Sequence, residues 1–100
     1  MIKLTVSHHK LTASGHALFA KKGQDIVCAA VSGIIFGALP WFETNSIAVQ
    51  EDATVPSLSL ELVQPTAKLI TGLSVVIMQL KTLAHSYPQF ISFEDQRKDE

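Results

Sequence analysis

Residues 65–86 carry the most regular apolar pattern in the chain, and this pattern constrains the fold more than any other feature. The apolar residues recur at spacings of three and four and so share one helix face: Leu69, Ile70, Leu73, Val76, Ile77, Leu80, Leu83 and Ala84. Pro65 can occupy the first turn of this helix, where an N–H is not needed. A helix with one apolar face needs a second layer to cover it, and the rest of the chain must supply that layer.

Four shorter segments predict strands that can form the second layer. Apolar and polar residues alternate with a period of two in residues 2–7, 10–17 and 57–63, and residues 46–50 are the fourth segment. A tight turn is expected near His8 and His9, and residues 51–56 are expected to be a loop. Residues 89–93 could add a last short strand, and the charged tail, residues 94–100, is expected to be frayed.

A second helix is predicted by the apolar run after Asp25. The carboxylate of Asp25 can accept hydrogen bonds from the first-turn amides, and the helix should end near Pro40. The order is strand, strand, helix, strand, strand, helix, with a possible final strand. It predicts an α+β fold in two layers, with two helices on a mostly antiparallel sheet of four to five strands.

Length and charge limit the organisation and the partners. One hundred residues with 47% apolar content fit a single domain, residues 1–100. A formal net charge of -1 gives no broad positive field, so we expect no direct binding of nucleic acid. Residues 26–42 are uncharged but fall short of the roughly 20 apolar residues of a membrane span, and Pro40 interrupts them, so we expect no membrane association.

The compartment is indicated by the single cysteine and the N-terminal residues. One cysteine cannot form an intramolecular disulfide, and residues 1–10 lack the pattern of a secretory signal. The sequence therefore predicts a cytoplasmic protein.

That cysteine, Cys28, follows His16 by twelve residues and would lie in the first turn of the helix after Asp25. The helix dipole there favours a thiolate by only about 0.3–1 kcal/mol, whereas an imidazolium about 4 Å away could add up to roughly 4 kcal/mol. His16 could supply this charge and act as the base and acid of acyl transfer. Unpaired amides at the same helix end could hold an oxyanion. The arrangement points to a cysteine hydrolase.

Supporting roles are expected for neighbouring residues. Asp25 and Ser32 share the helix face of Cys28, so Asp25 could cap the helix or orient His16, and Ser32 could hydrogen-bond the thiol. Lys21, Lys22 and Gly23 suggest a flexible loop that could close over a bound peptide.

Other interpretations remain open at this point. A cysteine in an apolar helix is often an inert core residue. A zinc site could draw on His8, His9, His16 and Cys28, although adjacent histidines on a strand point to opposite faces. The chain could also be a non-catalytic interaction module, with Leu69 and Ile77 on a partner surface.

The stretch "SGHALFAKKGQDIVCAAVSG" resembles the signature of the ribosomal-processing cysteine proteases, a small bacterial family. The matching positions are Gly15, His16, Gly23, Asp25 and the run from Cys28 to Ser32, and the C-terminal "GLSVVIMQLKTLAHSYPQFISFED" also resembles that family. The resemblance implies that Cys28 is the nucleophile and His16 the general base. It implies a thioester intermediate, no metal or organic cofactor, and a homodimer. The implied substrate is a large-subunit ribosomal protein precursor that loses a short N-terminal extension. With this resemblance, the alternative to a protease is a non-catalytic homodimeric interaction module associated with ribosome assembly.

Overall fold

The fold is seen in a computed structural model that describes residues 1–16, 21, 23–52, 54 and 56–97. The strands and helices of this part follow the predicted order: β1 (Ile2–Val6), β2 (Lys10–Ser14), α1 (Ile26–Ala38), β3 (Ile47–Asp52), β4 (Ser57–Leu62), α2 (Ala67–Ser86) and β5 (Ile91–Asp95). A short 3-10 turn, Leu39–Trp41, follows α1. The α+β class is confirmed, and the possible final strand is present.

The strands form one sheet in the order β3-β4-β2-β1-β5. β1 and β2 form a hairpin around His8 and His9, closed by a 2.9 Å bond from the Ser7 amide to the Lys10 carbonyl. β4 pairs antiparallel with both β2 and β3, whereas β5 pairs in parallel with β1. The sheet is therefore mostly antiparallel, as predicted, and its edges are β3 and β5.

Both helices pack on one face of this sheet. The apolar positions of β1, β2 and β4 form one core with the inner faces of the helices. The eight largest side chains that are almost fully inaccessible are Leu4, Leu11, Leu60, Leu73, Ile77, Leu80, Val6 and Val27. The opposite sheet face is polar, and nothing in the described part of the chain covers it. The architecture has two layers, as predicted.

The two helices begin at side-chain caps. Asp25 precedes α1, and its carboxylate accepts from the Cys28 amide at 3.0 Å, which confirms the predicted cap. Thr66 precedes α2, and its hydroxyl accepts from the Leu69 amide at 3.2 Å. Pro65 thus lies before the cap and not in the first turn, so that detail of the prediction is wrong. The hydroxyl of Thr66 takes the capping position because proline has no side-chain acceptor.

Two strands, β3 and β5, each end two residues later than the sequence indicated. Glu51 and Asp52 belong to β3, because they pair with Leu58 and Ser57, so the predicted loop begins two residues later. Long-range pairing here overrides the low strand propensity of acidic residues.

The charged tail also starts inside the sheet. Glu94 and Asp95 belong to β5 and pair with Thr5 and Val6 of β1, so these two residues are not frayed. Arg97 then turns back and donates to the Asp95 carboxylate at 2.8 Å. This hydrogen bond holds the pKa of the Asp95 carboxyl well below its usual range. The rest of the tail, residues 98–100, lies outside the described residues.

Helix α2 is long and apolar enough, by length and composition, to cross a membrane. Its inner face is instead part of the core, with Leu73, Ile77 and Leu80 at 1% exposure or less. Such length and composition are also typical of a core helix, and α2 is a core helix in this fold.

Candidate active site

Cys28 is the third residue of α1 and lies in its first turn, as predicted. The Asp25 cap fixes this turn, since the carboxylate holds the Cys28 amide while the Asp25 carbonyl accepts the first helical bond, from Ala29, at 3.1 Å. The Cys28 side chain is half-buried and packs partly against the core. It also lines a cavity of about 430 Å³ between α1 and the sheet. The thiol is therefore not an enclosed core group.

His16 lies two residues beyond the end of β2 and not within a strand as expected. Gly15, between them, has φ +87° and donates its amide to the Pro56 carbonyl at 2.8 Å. A Cβ on Gly15 would collide with the Met1 carbonyl, so this position needs glycine for both its backbone angle and its space. The turn at Gly15 brings the exposed His16 to the cavity that Cys28 lines.

The cavity brings together three of the predicted site residues: His16, Cys28 and Ser32. Its remaining wall is largely apolar, from Ile2, Ala13, Val31, Ile35, Phe36, Pro56 and Leu58, and its other polar residues are Ser14, Ser57, Glu51 and Asp52. An apolar wall with a few convergent polar groups is typical of a binding site for an organic ligand such as a peptide.

Asp25, Lys21 and Gly23 do not line this cavity. Asp25 serves the helix end, one turn before the thiol. Lys21 and Gly23 are exposed in a turn in which the Gln24 amide donates to the Lys21 carbonyl at 2.9 Å. Lys22 lies outside the described residues. Gly23 has φ +89° but open space around it, so only its backbone angle favours glycine.

Sequence reasoning missed the wall contributed by β3 and by the outer side of α1. Glu51 and Asp52 fall in the predicted loop, residues 51–56, and the sequence pattern predicts no role for Phe36. The pairing of β3 with β4, and of β4 with β2, brings Glu51 and Asp52 to the cavity. No local pattern reveals the pairing of β4 with β2, because it joins segments about 45 residues apart in sequence.

The helix start can also supply hydrogen-bond donors for an oxyanion. The amide of Cys28 is already used by the cap. The first-turn amides of Ile26 and Val27 donate to no group in the described ranges, so they are the donors left at this end of α1.

The zinc interpretation finds no support in this geometry. His8 and His9 lie in the hairpin turn at one end of β2, and His16 lies beyond the other end. The five residues of β2 between them span about 16 Å. Within the ranges that the structure describes, no group of three His, Cys, Asp or Glu side chains could hold a metal ion.

Comparison with known proteins defines the class that this fold and site represent, a small cysteine protease. Residues 1–92 match the family model of cysteine protease Prp. The chain belongs to that family. It is 50% identical over 96 residues to the ribosomal processing cysteine protease Prp of Mycoplasma genitalium, covering 96% of this chain and 97% of the relative.

Solved structures show the same fold. The processing protease Prp of Staphylococcus aureus, in complex with a covalently linked product peptide, superposes with a TM-score of 0.80 at 20% identity, covering 95% of this chain and 97% of that one. A Streptococcus mutans protein gives a TM-score of 0.80 at 23% identity, covering 97% and 95%. The two-layer architecture is thus shared at low sequence identity.

Proposed function

We propose that this cysteine protease removes a short N-terminal extension from a large-subunit ribosomal protein, with Cys28 as nucleophile and His16 as general base. The observation that carries the proposal is the cavity of about 430 Å³ that both side chains line. The Mycoplasma genitalium relative is named a ribosomal processing protease, and the Staphylococcus aureus protein was solved with a peptide product. Both support a peptide substrate from the ribosome.

The reaction is acyl transfer in two stages. The Cys28 thiol gives its proton to His16, and the thiolate attacks the scissile carbonyl to form a tetrahedral oxyanion. The C–N bond then breaks, the amine leaves with the proton from His16, and a thioester remains. Water, deprotonated by His16, hydrolyses the thioester and restores the thiol. No metal or organic cofactor takes part in this scheme.

The start of α1 favours both charged species of this reaction. The positive end of its dipole stabilises a thiolate at Cys28 by about 0.3–1 kcal/mol. The amides of Ile26 and Val27 are the candidate donors to the oxyanion, a role that is worth about 3–4 kcal/mol per donor in other proteases.

The neighbouring residues have supporting roles in this proposal. Ser32, one turn after Cys28 on the same cavity wall, hydrogen-bonds the thiol during the reaction. Asp25 caps the helix and orients His16. Lys21, Lys22 and Gly23 form the loop that closes over the substrate.

We also propose the setting in which the protease works. It is a single domain that acts in the cytoplasm, where ribosomal proteins are made, and it contacts neither nucleic acid nor membrane. It forms a homodimer, because a surface between α1 and α2 is unusually apolar. Trp41 and Val75 are each at least half exposed there, and both line a cavity of about 1050 Å³ between the two helices. Val75→Glu should dissociate the dimer in sedimentation experiments.

The decisive test is cleavage of a peptide that spans the extension junction of the host's own ribosomal protein. Wild type should cut at the junction, and Cys28→Ala and His16→Ala should not, while both variants keep the wild-type circular dichroism spectrum. Mass spectrometry of the wild-type reaction should detect the thioester. Full cleavage by Cys28→Ala would end the proposal.

A further inference from the structure

The outer side of β3 is a sheet edge with unused backbone hydrogen-bonding groups. The Val63 amide donates to the Ser46 carbonyl at 2.9 Å, which sets the phase of the β3–β4 ladder. Bonded pairs alternate in an antiparallel ladder, so the peptide groups of Ile47, Val49 and Glu51 point away from β4. No other strand in the described part of the chain pairs with them. Such an edge is a template for an incoming extended chain.

This edge leads directly into the candidate active site. Glu51 is opposite Leu58, and Leu58 is opposite Ala13, so all three side chains are on the sheet face that the helices cover. Glu51 lines the same cavity as Cys28 and His16, with Phe36 of α1 among the other wall residues. A strand added to β3 would run alongside β3, and its end beside Glu51 would lie at the mouth of the cavity that Cys28 and His16 line.

The carboxylate of Glu51 is exposed and has no ion-pair partner among the described residues. The other edge strand, β5, ends differently, because Arg97 neutralises Asp95 there at 2.8 Å. No lysine or arginine of the described residues lines the cavity that holds Glu51. Within the described residues, the Glu51 carboxylate at the cavity end of β3 is thus a negative charge without a neighbouring lysine or arginine in the cavity wall.

We propose that the substrate peptide binds as an added strand on the outer edge of β3, and that Glu51 selects a basic side chain of this peptide. The inference rests on the proposed function for the identity of the peptide. An extended chain exposes its scissile bond and pairs its backbone with an edge strand. A ribosomal protein is rich in basic residues because it must neutralise RNA phosphates. A second copy of β3 fits less well, since Glu51 and Asp52 of both copies would put four carboxylates on one short ladder.

The charge part is tested by binding, so that the result does not depend on cleavage. The probe is the fluorescein-labelled junction peptide, and the protein is the Cys28→Ala variant, with affinity measured by fluorescence anisotropy. Adding Glu51→Lys should raise Kd for this peptide by about tenfold. For a peptide with its basic residues changed to glutamate, the Glu51→Lys protein should instead bind more tightly than the protein that keeps Glu51. Glu61→Lys is the matched control, because Glu61 is exposed on the open face of β4 and does not line the cavity; it should keep the original Kd.

The backbone part is tested by proline at Val49. Val49→Pro removes an N–H that points outward and so leaves the bonds to β4 intact. It should raise Kd by about tenfold, more than Val49→Ala, which keeps the N–H. Equal Kd for all variants, or no binding by Cys28→Ala, overturns the inference. A Val49→Pro effect on sedimentation but not on Kd also overturns it, because the edge would then bind a second copy. If wild type does not cut the junction peptide although the Cys28→Ala variant binds it tightly, only the proposed function is overturned.

Discussion

The two α-helices of this protein begin with nearly the same local geometry, yet only one helix start lies at the candidate active site. At α1 the Asp25 carboxylate accepts from the amide three residues on at 3.0 Å, and that residue is Cys28. At α2 the Thr66 hydroxyl accepts from the amide three residues on at 3.2 Å, and that residue is Leu69. Both starts offer a cap, a helix dipole and unpaired first-turn amides.

The difference lies in what the fold places beside each start. The α1 start adjoins a cavity to which the Gly15 turn brings His16. The α2 start has Trp41 nearby, whose ring centroid is 5.8 Å from the Lys68 ammonium and whose edge covers Gly72. A helix terminus is therefore not a catalytic device by itself. The neighbouring strand end gives the α1 terminus its histidine.

The largest effect is expected from moving the thiol between the two starts. The double variant Cys28→Ala, Leu69→Cys has a thiol at the third residue of a capped helix but no histidine nearby. Junction-peptide cleavage should fall by about 10⁴-fold or more, to the level of Cys28→Ala alone. Iodoacetamide should also alkylate the transplanted thiol more slowly than the wild-type thiol at pH 7. Equal alkylation rates would show that the helix start alone activates a thiol.

The next effect concerns the turn that presents His16 to α1. Gly15→Ala forces a Cβ against the Met1 carbonyl at a positive φ, and should cost at least about 2 kcal/mol of unfolding free energy and most of the cleavage activity. Gly23→Ala is the matched control, because Gly23 has nearly the same φ in open space; it should cost only about 1 kcal/mol. Urea denaturation measures both, and equal costs would remove the steric argument.

The caps can be compared by removing each of them. Asp25→Ala and Thr66→Ala should each lower the unfolding free energy by about 1 kcal/mol, but only the first should lower kcat. Asp25→Asn keeps a capping oxygen, so its stability should stay near wild type while kcat falls by about tenfold if the carboxylate orients His16. An Asp25→Asn enzyme with wild-type kcat and pH profile would assign Asp25 to capping alone.

The smallest effect is expected from the ion pair of Asp95 and Arg97, whose contribution to the unfolding free energy depends on pH. The Asp95 pKa is lowered by Arg97, so the ionised carboxylate stabilises the folded state above its ordinary pKa of about 3.9. This contribution is lost as the pH falls below that value toward the lower folded pKa. Arg97→Gln should cost less than about 1 kcal/mol at pH 7, and the difference from wild type should shrink in acid. A difference that grows in acid would contradict this sign.

Much of the local structure could be predicted because it depends on local chemistry. Alternation predicted the strands, helical spacing predicted α2, and the acidic residue before an apolar run predicted the cap that places Cys28 in the first turn. The α2 cap was misplaced by one residue because Pro65 and Thr66 are both favourable near a helix start, and only one of them has a side-chain acceptor.

The remaining features depend on pairing between distant segments. The parallel pairing of β5 with β1, and the presence of Glu51 in the cavity wall, follow from the strand order β3-β4-β2-β1-β5. The apolar and polar pattern of a strand is the same whichever strand it pairs with, so this pattern cannot predict the strand order. His16 shows the same limit, since its position depends on the contacts of Gly15 with Met1 and Pro56.

The parallel pairing of the first strand with the last has a consequence for biosynthesis. The Ile2 amide donates to the Phe90 carbonyl at 2.9 Å, so one edge of β1 stays open until Phe90 and β5 have left the ribosome. Contacts of such long sequence separation form late and slow folding. The Met1 carbonyl, which contacts the Gly15 turn, directly precedes β1 and so belongs to the segment that lacks this partner until then. A nascent chain of this protease would thus complete its sheet only after residues 90–95 have been synthesised and have left the ribosome.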